Sequence, residues 1–181
     1  YLAHVAEESL LARQLGDALE RRQYACWFYG RDAIPGVSFI SQLQSAIERS
    51  QAVVLLISRP ALRSADFERE IGHAHKIGCS ILPLLIDLSR EEFEKLAPSW
   101  CYMLGASPMI EYRRVEPLPS IVERITAAAE TLDIGVDDRI AVSPAESTQR
   151  TARDAPASTG GKSSRLPASD SLASRTSSPR S

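Results

Sequence analysis

The sequence is poor in the residues that build metal and disulfide sites. Its three cysteines lie far apart, and no pair has the CxxC spacing of a zinc or redox site. Of the three histidines, His73 and His75 point to different sides of any helix that contains them, and His4 stands alone. We therefore expect reduced thiols, as in a cytoplasmic protein, and no metal centre.

Other absences exclude further classes. There is no apolar run of about 18 residues and no signal-peptide pattern, so we expect no membrane partner. The basic residues of the C-terminal region are scattered, with no aromatic residues between them, so we expect no nucleic-acid partner. A composition of 44% hydrophobic and 24% charged residues is typical of a globular domain.

A change in composition divides the chain near residue 134. Residues 141–181 include 11 Ser, 4 Thr and 4 Pro but few large aliphatic side chains, too few to offset the entropy cost of ordering. We predict one domain over residues 1–133 and a disordered Ser/Pro/Ala-rich tail or linker over residues 134–181. Because Tyr1 is not an initiator methionine, we also expect that the first strand is truncated or that an upstream domain is missing.

The first 133 residues alternate between strand and helix patterns. The apolar run at 52–57 has no polar alternation, which is typical of a parallel strand covered on both faces. Five such units predict an α/β three-layer sandwich, with a five-stranded parallel sheet and helices on both faces. The predicted strands are residues 1–4, 25–29, 52–57, 80–86 and 109–110.

The common flavodoxin-like strand order, 2-1-3-4-5, places a ligand cleft beyond the carboxyl ends of strands one and three. The helix after strand three has Ser64 as a predicted N-cap. Phe67, Ile71 and Ala74 recur on one face of this helix, and Glu70 lies at the rim of that apolar stripe. Glu70 is therefore a candidate active-site carboxylate, although a solvated surface glutamate has the same pattern.

Four segments resemble, in order and spacing, the motifs of Toll/interleukin-1 receptor (TIR) domains, particularly bacterial ones. They are YLAHVAEES, YACWFYGRDAIPG, VVLLISRPALRSADFEREI and CSILPLLID. The resemblance implies a TIR-domain signalling protein that cleaves NAD⁺ at the nicotinamide–ribose bond when self-associated, in bacterial defence or stress signalling. NAD⁺ is then a substrate and no cofactor is expected, while hydrolysis and cyclisation both remain open as outcomes.

The resemblance also implies roles for individual residues. Glu70 matches the catalytic glutamate of the family, and loop 30–37 matches the loop used in TIR–TIR assembly and in covering the nucleotide site. Other TIR proteins are therefore possible partners as well. The implied substrate-binding residues are His4, Phe28, Tyr29, Arg31 and Asp32, and the implied assembly residues are Ile34, Pro35 and Gly36.

Of two alternatives to a TIR enzyme, the sequence leaves one open and disfavours the other. Many active members carry an aromatic residue four positions before the glutamate, where this chain has Asp66, so a non-enzymatic scaffold acting by homotypic binding is the competing function. A phosphate-accepting receiver of the same fold is disfavoured because strand three ends in Ile57, Ser58 and Arg59, with no aspartate.

Overall fold

A computed structural model describes residues 1–105 and 108–136 of the chain. Four parallel strands form one sheet in the order β1-β2-β3-β4. The strands are β1 (Leu2–Ala3), β2 (Ala52–Ile57), β3 (Ser80–Ile86) and β4 (Ile110–Tyr112). The helices are α1 (Ser9–Glu20), α2 (Tyr29–Asp32), α3 (Phe39–Arg49), α4 (Ala65–Lys76), α5 (Arg90–Leu96), α6 (Pro98–Leu104) and α7 (Leu118–Thr131).

The sheet is buried on both faces, which confirms the predicted three-layer α/β architecture. Alternate residues of β2 point into two separate cores: Val53, Leu55 and Ile57 pack toward α3, α4 and α6, while Val54 and Leu56 pack toward α1 and α7. A strand with apolar side chains in both directions cannot bury them under one layer of helices.

The segment predicted as the second strand, residues 25–29, is not part of the ladder: residues 25–28 form no strand and Tyr29 begins α2. One backbone hydrogen bond joins it to β1, from Leu2 N to Trp27 O at 2.9 Å. Side chains of α2 engage two further backbone groups of the segment, because Asp32 accepts from Phe28 N at 2.9 Å and Arg31 donates to Cys26 O. The segment therefore lies beside β1 at the sheet edge that the predicted order assigns to it, and the described residues form four strands rather than the predicted five.

One arginine joins three loops at the carboxyl edge of the sheet. The Arg114 Nη2 atom lies 2.6 Å from Glu8 Oε2, and its Nη1 atom lies 2.9 Å from Asp87 Oδ2. The Glu8 side chain is only 1% exposed, so its charge is balanced mainly through this pair. The turn after β1 is thereby fixed to the loops after β3 and β4.

Three residues of the predicted tail, 134–136, are described and lie shortly after the end of α7. Ile134 N donates to Ala129 O at 3.0 Å, and Gly135 N donates to Gln51 Oε1 at 2.8 Å. These residues close the end of the helix against the turn before β2. The rest of the predicted tail, from residue 137, lies outside the described residues.

Two helical glycines test the packing of the fold. A Cβ atom on Gly16 would lie 2.9 Å from the buried Phe28 ring, whereas nothing lies within 4 Å of one on Gly72. We expect Gly16→Ala to destabilise the domain by about 1–2 kcal/mol through overpacking. Gly72→Ala should stabilise it by about 0.5–1 kcal/mol, because alanine is the better helix former. Chemical denaturation of both variants measures the difference, and equal stability would contradict the packing described here.

Candidate active site

Glu70 is placed by a well-defined helix start. The Ser64 side chain accepts a hydrogen bond from Phe67 N at 3.2 Å, which confirms the predicted N-cap of α4. Phe67 and Ile71 are buried against the β2 face of the sheet, and the Phe67 ring stacks on Trp100 at 5.8 Å. Glu70 lies between Phe67 and Ile71 in α4 and is only 9% exposed. It is therefore more deeply buried than predicted, since the sequence placed it at the rim of the apolar stripe.

The buried carboxylate has a tyrosine partner that sequence reasoning missed. The Tyr1 hydroxyl donates a hydrogen bond to Glu70 Oε2 at 2.6 Å. Strand alternation was the available signal, because Tyr1 and Ala3 share the face of β1 that packs toward α4. The sequence pattern alone did not show that a hydroxyl from this strand reaches α4.

The surroundings of Glu70 favour its protonated form. Burial is the main cause and raises the pKa of the carboxyl to about 7, and the neighbouring Asp66 charge acts in the same direction. The hydrogen bond from Tyr1 opposes both, since it stabilises the ionised form. Burial also raises the pKa of the Tyr1 hydroxyl above its usual range, so Tyr1 remains a donor.

A cleft of about 650 Å³ opens beside Glu70, beyond the carboxyl ends of β1 and β2. This is the edge predicted from the strand order, and the volume is within the range of about 300–1,000 Å³ that is typical of small-molecule sites. Predicted site residues His4, Tyr29 and Glu70 line this cleft together. Polar and charged neighbours also line it: Glu7, Ser9, Arg63, Ser64 and Asp66.

His4 and Tyr29 both line the cleft, and His4 lies close to the start of α2, since a Cβ atom on Gly30 would be 4.0 Å from His4 Nε2. His4 Nδ1 lies 3.2 Å from Leu2 O, and burial lowers the pKa of the imidazole, which favours its neutral form near pH 7. The Tyr29 ring meets the Phe39 ring edge-on, with centroids 4.6 Å apart. Both of these rings are partly exposed, so the cleft has an aromatic lip on the side of α2 and α3.

The other predicted substrate-binding residues do not line this cleft. Phe28 is 1% exposed, and the Arg31 guanidinium lies 4.5 Å from the centre of its ring. Arg31 also pairs with Glu20 at 2.8 Å and with Asp32 at 2.8 Å. The contacts of Phe28, Arg31 and Asp32 therefore hold α2 against the domain, and their predicted role in substrate binding stays a prediction.

The predicted assembly residues lie on an exposed loop with defined geometry. Ile34 is 63% exposed. Gly36, which follows Pro35, has a positive φ of 84°, a backbone conformation that glycine adopts more readily than other residues. The Gln42 amide clamps the loop, because it accepts from Ile34 N at 2.6 Å and donates to Val37 O at 3.0 Å. The loop thus presents its apolar side chain outward without depending on a partner.

Asp66 stands where the resemblance described above predicts an aromatic residue. It is exposed at the cleft and pairs with Arg69 on the next turn of α4. A larger groove of about 1,090 Å³ runs along residues 24–27 and α3 and includes Asp32 and Ile34, but Glu70 does not line it. The cleft beside Glu70 is therefore the better candidate for chemistry.

Two further findings concern the described residues. Among residues 1–105 and 108–136, no cluster of three or more His, Cys, Asp or Glu side chains has metal-site geometry. Within the same ranges, none of the helices is both long and apolar enough to cross a bilayer.

The comparison with protein families decides the assignment. A family model described as the TIR domain matches residues 1–113. The chain belongs to the TIR domain family. No curated protein matches this TIR domain.

Solved structures support the same fold for this TIR domain. It is similar to a TIR-STING receptor from C. gigas, solved in complex with 2',3'-cGAMP, with a TM-score of 0.54 and 23% identity. That match covers 68% of this chain, which spans 37% of the receptor's length. The TIR domain of the Toll-related receptor TRR-2 from Hydra magnipapillata matches with a TM-score of 0.55 and 16% identity, covering 74% of this chain and 94% of that one. At these identities the likeness establishes the fold of the TIR domain and nothing finer.

The buried carboxylate predicts a pH-dependent stability. The Glu70 carboxyl is ionised in the unfolded chain above about pH 4.5, but in the folded domain its pKa is about 7. Its contribution to stability is therefore present at low pH and is lost as the pH rises through 7. We expect Glu70→Gln to match the wild type near pH 5 and to exceed its unfolding free energy by on the order of 2 kcal/mol at pH 8.

Urea denaturation at both pH values measures this effect. Glu68→Gln is the matched control, because Glu68 is exposed on the same helix. A Glu70→Gln advantage that is the same at pH 5 and pH 8 would contradict the titration described here.

Proposed function

We propose that this TIR domain cleaves NAD⁺ at the nicotinamide–ribose bond, with Glu70 as the catalytic residue. The observation that carries the proposal is a buried carboxyl with a pKa of about 7 on the wall of a cleft of suitable size. Carboxyl groups with a perturbed pKa in clefts are characteristic of functional sites. Burying such a group lowers the stability of the fold, and a function in the cleft gives a reason for keeping it there.

The chemistry suits a single carboxylate. Nicotinamide leaves NAD⁺ as a neutral molecule from a cationic ring, so no acid is needed to protonate the leaving group. Positive charge develops on the ribose as the bond breaks, and the ionised Glu70 side chain stabilises it by electrostatics and by hydrogen bonds to ribose hydroxyls. Water and the adenine of the same molecule are both candidate acceptors of the ribosyl group.

The other walls of the cleft support this placement. The Tyr29 and Phe39 rings provide an aromatic lip on which a nicotinamide ring stacks. The neutral His4 ring adds a polar contact without placing a positive charge next to the cationic substrate. Asp66 provides no stacking surface, but its negative charge at the cleft favours a cationic nicotinamide over a neutral ring.

Self-association is the second part of the proposal. Ile34, Val37 and Ile40 are at least half exposed and lie together on the loop before α3 and on its first turn. Exposed apolar side chains on a rigid loop favour a protein partner, and we propose a second TIR domain in that role. The same observation favours the alternative function, a scaffold that associates homotypically without turnover.

The cellular setting is also proposed rather than measured. We propose a cytoplasmic protein of bacterial type, in which a trigger clusters the domains and clustering activates NAD⁺ cleavage in defence or stress signalling. The reduced cysteines of the described residues are compatible with that compartment.

Nicotinamide release from NAD⁺ tests the enzymatic proposal. The purified chain is assayed at high concentration and clustered on beads, with Glu70→Gln and the control Glu68→Gln. Glu70→Gln should lower the rate at least about 100-fold, because it removes the charge that stabilises the transition state. Glu68→Gln should retain the wild-type rate, since its side chain points to solvent.

The outcomes separate the two candidate functions. Loss of activity in Glu70→Gln alone supports the enzyme. Absence of nicotinamide release from folded, clustered wild type contradicts the enzyme and leaves the homotypic scaffold as the function.

A charged substitution on the assembly loop tests self-association. Ile34→Glu places a charge in the proposed apolar contact and should weaken association at least about 10-fold, while leaving the fold intact. Leu10→Glu is the matched control, because Leu10 is 70% exposed on α1, away from the loop. Light scattering over a concentration series measures association, and equal behaviour of the two variants would refute the assignment of this loop.

A further inference from the structure

The contact between Tyr1 and Glu70 joins two distant parts of the chain. The two residues are 69 positions apart, and the bond between Tyr1 Oη and Glu70 Oε2 is buried. No other hydrogen bond to the Glu70 carboxyl occurs among the described residues, so Oε1 is left for a ligand in the cleft. The two side chains line the cleft together.

The Tyr1 ring is held by the sheet rather than by a loop. The backbone carbonyl oxygen of Tyr1 accepts a hydrogen bond from Val54 N at 2.8 Å, and the next residue, Leu2, pairs in register with Val54. The Tyr1 ring also packs on Trp27, with centroids 5.4 Å apart. A hydroxyl on so fixed a ring defines where the Glu70 carboxylate points.

The other charged groups near Glu70 do not replace this donor. Asp66 on α4 and Glu7 on the turn after β1 are acids, which disfavour a further negative charge in the cleft. Arg63, on the turn before α4, lines the cleft but makes no hydrogen bond to Glu70, and His4 on the β1 side is neutral. Further along α4, His73 faces Glu48 of α3 at 3.5 Å.

We propose that Tyr1 is a positioning residue, whose hydroxyl stabilises the ionised form of the Glu70 carboxylate against its buried surroundings and aims it into the cleft. The proposal rests on the proposed NAD⁺ cleavage, since it assigns a function to the ionised form. Tyr1 acts only through Glu70: it donates one hydrogen bond, exchanges no proton with the substrate, and leaves the second carboxylate oxygen to contact ribose. A phenylalanine in its place would fill the same volume without the hydrogen bond.

Tyr1→Phe in the full chain tests the proposal with two readouts. The first is the NMR titration of the Glu70 side-chain carboxyl carbon. Its signal is assigned by comparison with the Glu70→Gln variant, in which that signal is missing. The second is the pH profile of nicotinamide release. Because the lost bond stabilised the ionised form, the midpoint of the titration and the acidic limb of the profile should both move up by about one pH unit. The rate should recover toward the wild-type value near pH 9.

Tyr112→Phe is the matched control. It removes another tyrosine hydroxyl, that of the buried Tyr112, which donates to Glu116 O at 3.3 Å on the edge of the sheet. It should shift neither the midpoint of the Glu70 titration nor the acidic limb of the pH profile. An unchanged Glu70 titration in Tyr1→Phe overturns the proposal, and so does a loss of rate that is equal at every pH. If the wild type releases no nicotinamide, the proposed function fails, while the NMR titration still decides whether Tyr1 controls the ionisation of Glu70.

Discussion

The burial of β2 on both faces is the constraint on which the rest of this domain depends. Residues 53–57 are all buried, and their side chains alternate between two cores. Helices must therefore cover both sides of the sheet, and the parallel connections bring the loops that follow β1 and β2 to one edge. The cleft and Glu70 are located by this arrangement, because α4 descends from that edge over the sheet.

The sequence allowed the main elements to be predicted for physical reasons. An unbroken apolar run indicated the central strand, and the Ser64 cap with helical spacing of Phe67 and Ile71 indicated α4. The predicted second strand, residues 25–29, did not form, since Tyr29 begins α2 and the side chains of Arg31 and Asp32 engage the backbone groups Cys26 O and Phe28 N. Competition of this kind depends on side-chain geometry in a turn, which hydrophobic periodicity does not encode.

The candidate site shows the same division between local and long-range information. Glu70 could be selected because its helix carries a family motif and a local pattern. The depth of its burial and its bond to Tyr1 could not, because they arise from the register of β1 against β2 and from packing across 69 residues. His4 and Tyr29 reached the cleft as expected, whereas Arg31 is engaged with Glu20 and Asp32.

A buried acid on a stable scaffold indicates a conflict between stability and chemistry. The surroundings of Glu70 oppose its charge, whereas the proposed stabilisation of ribose would require that charge. The Tyr1 hydroxyl, next to β1, reduces the conflict because it donates a hydrogen bond to Glu70. The state of Glu70 then depends on the correct pairing of β1 with β2.

The link from Arg114 to Glu8 has a consequence for the order in which the domain forms. Glu8 is buried near the start of the chain, and its positive partner is 106 residues later. During synthesis, the turn after β1 must wait for almost the whole domain before its carboxylate is neutralised. Glu7 and Ser9, which line the cleft, flank Glu8, so in any chain that ends before residue 114 this part of the cleft wall lacks the ion pair that fixes it to the loops after β3 and β4.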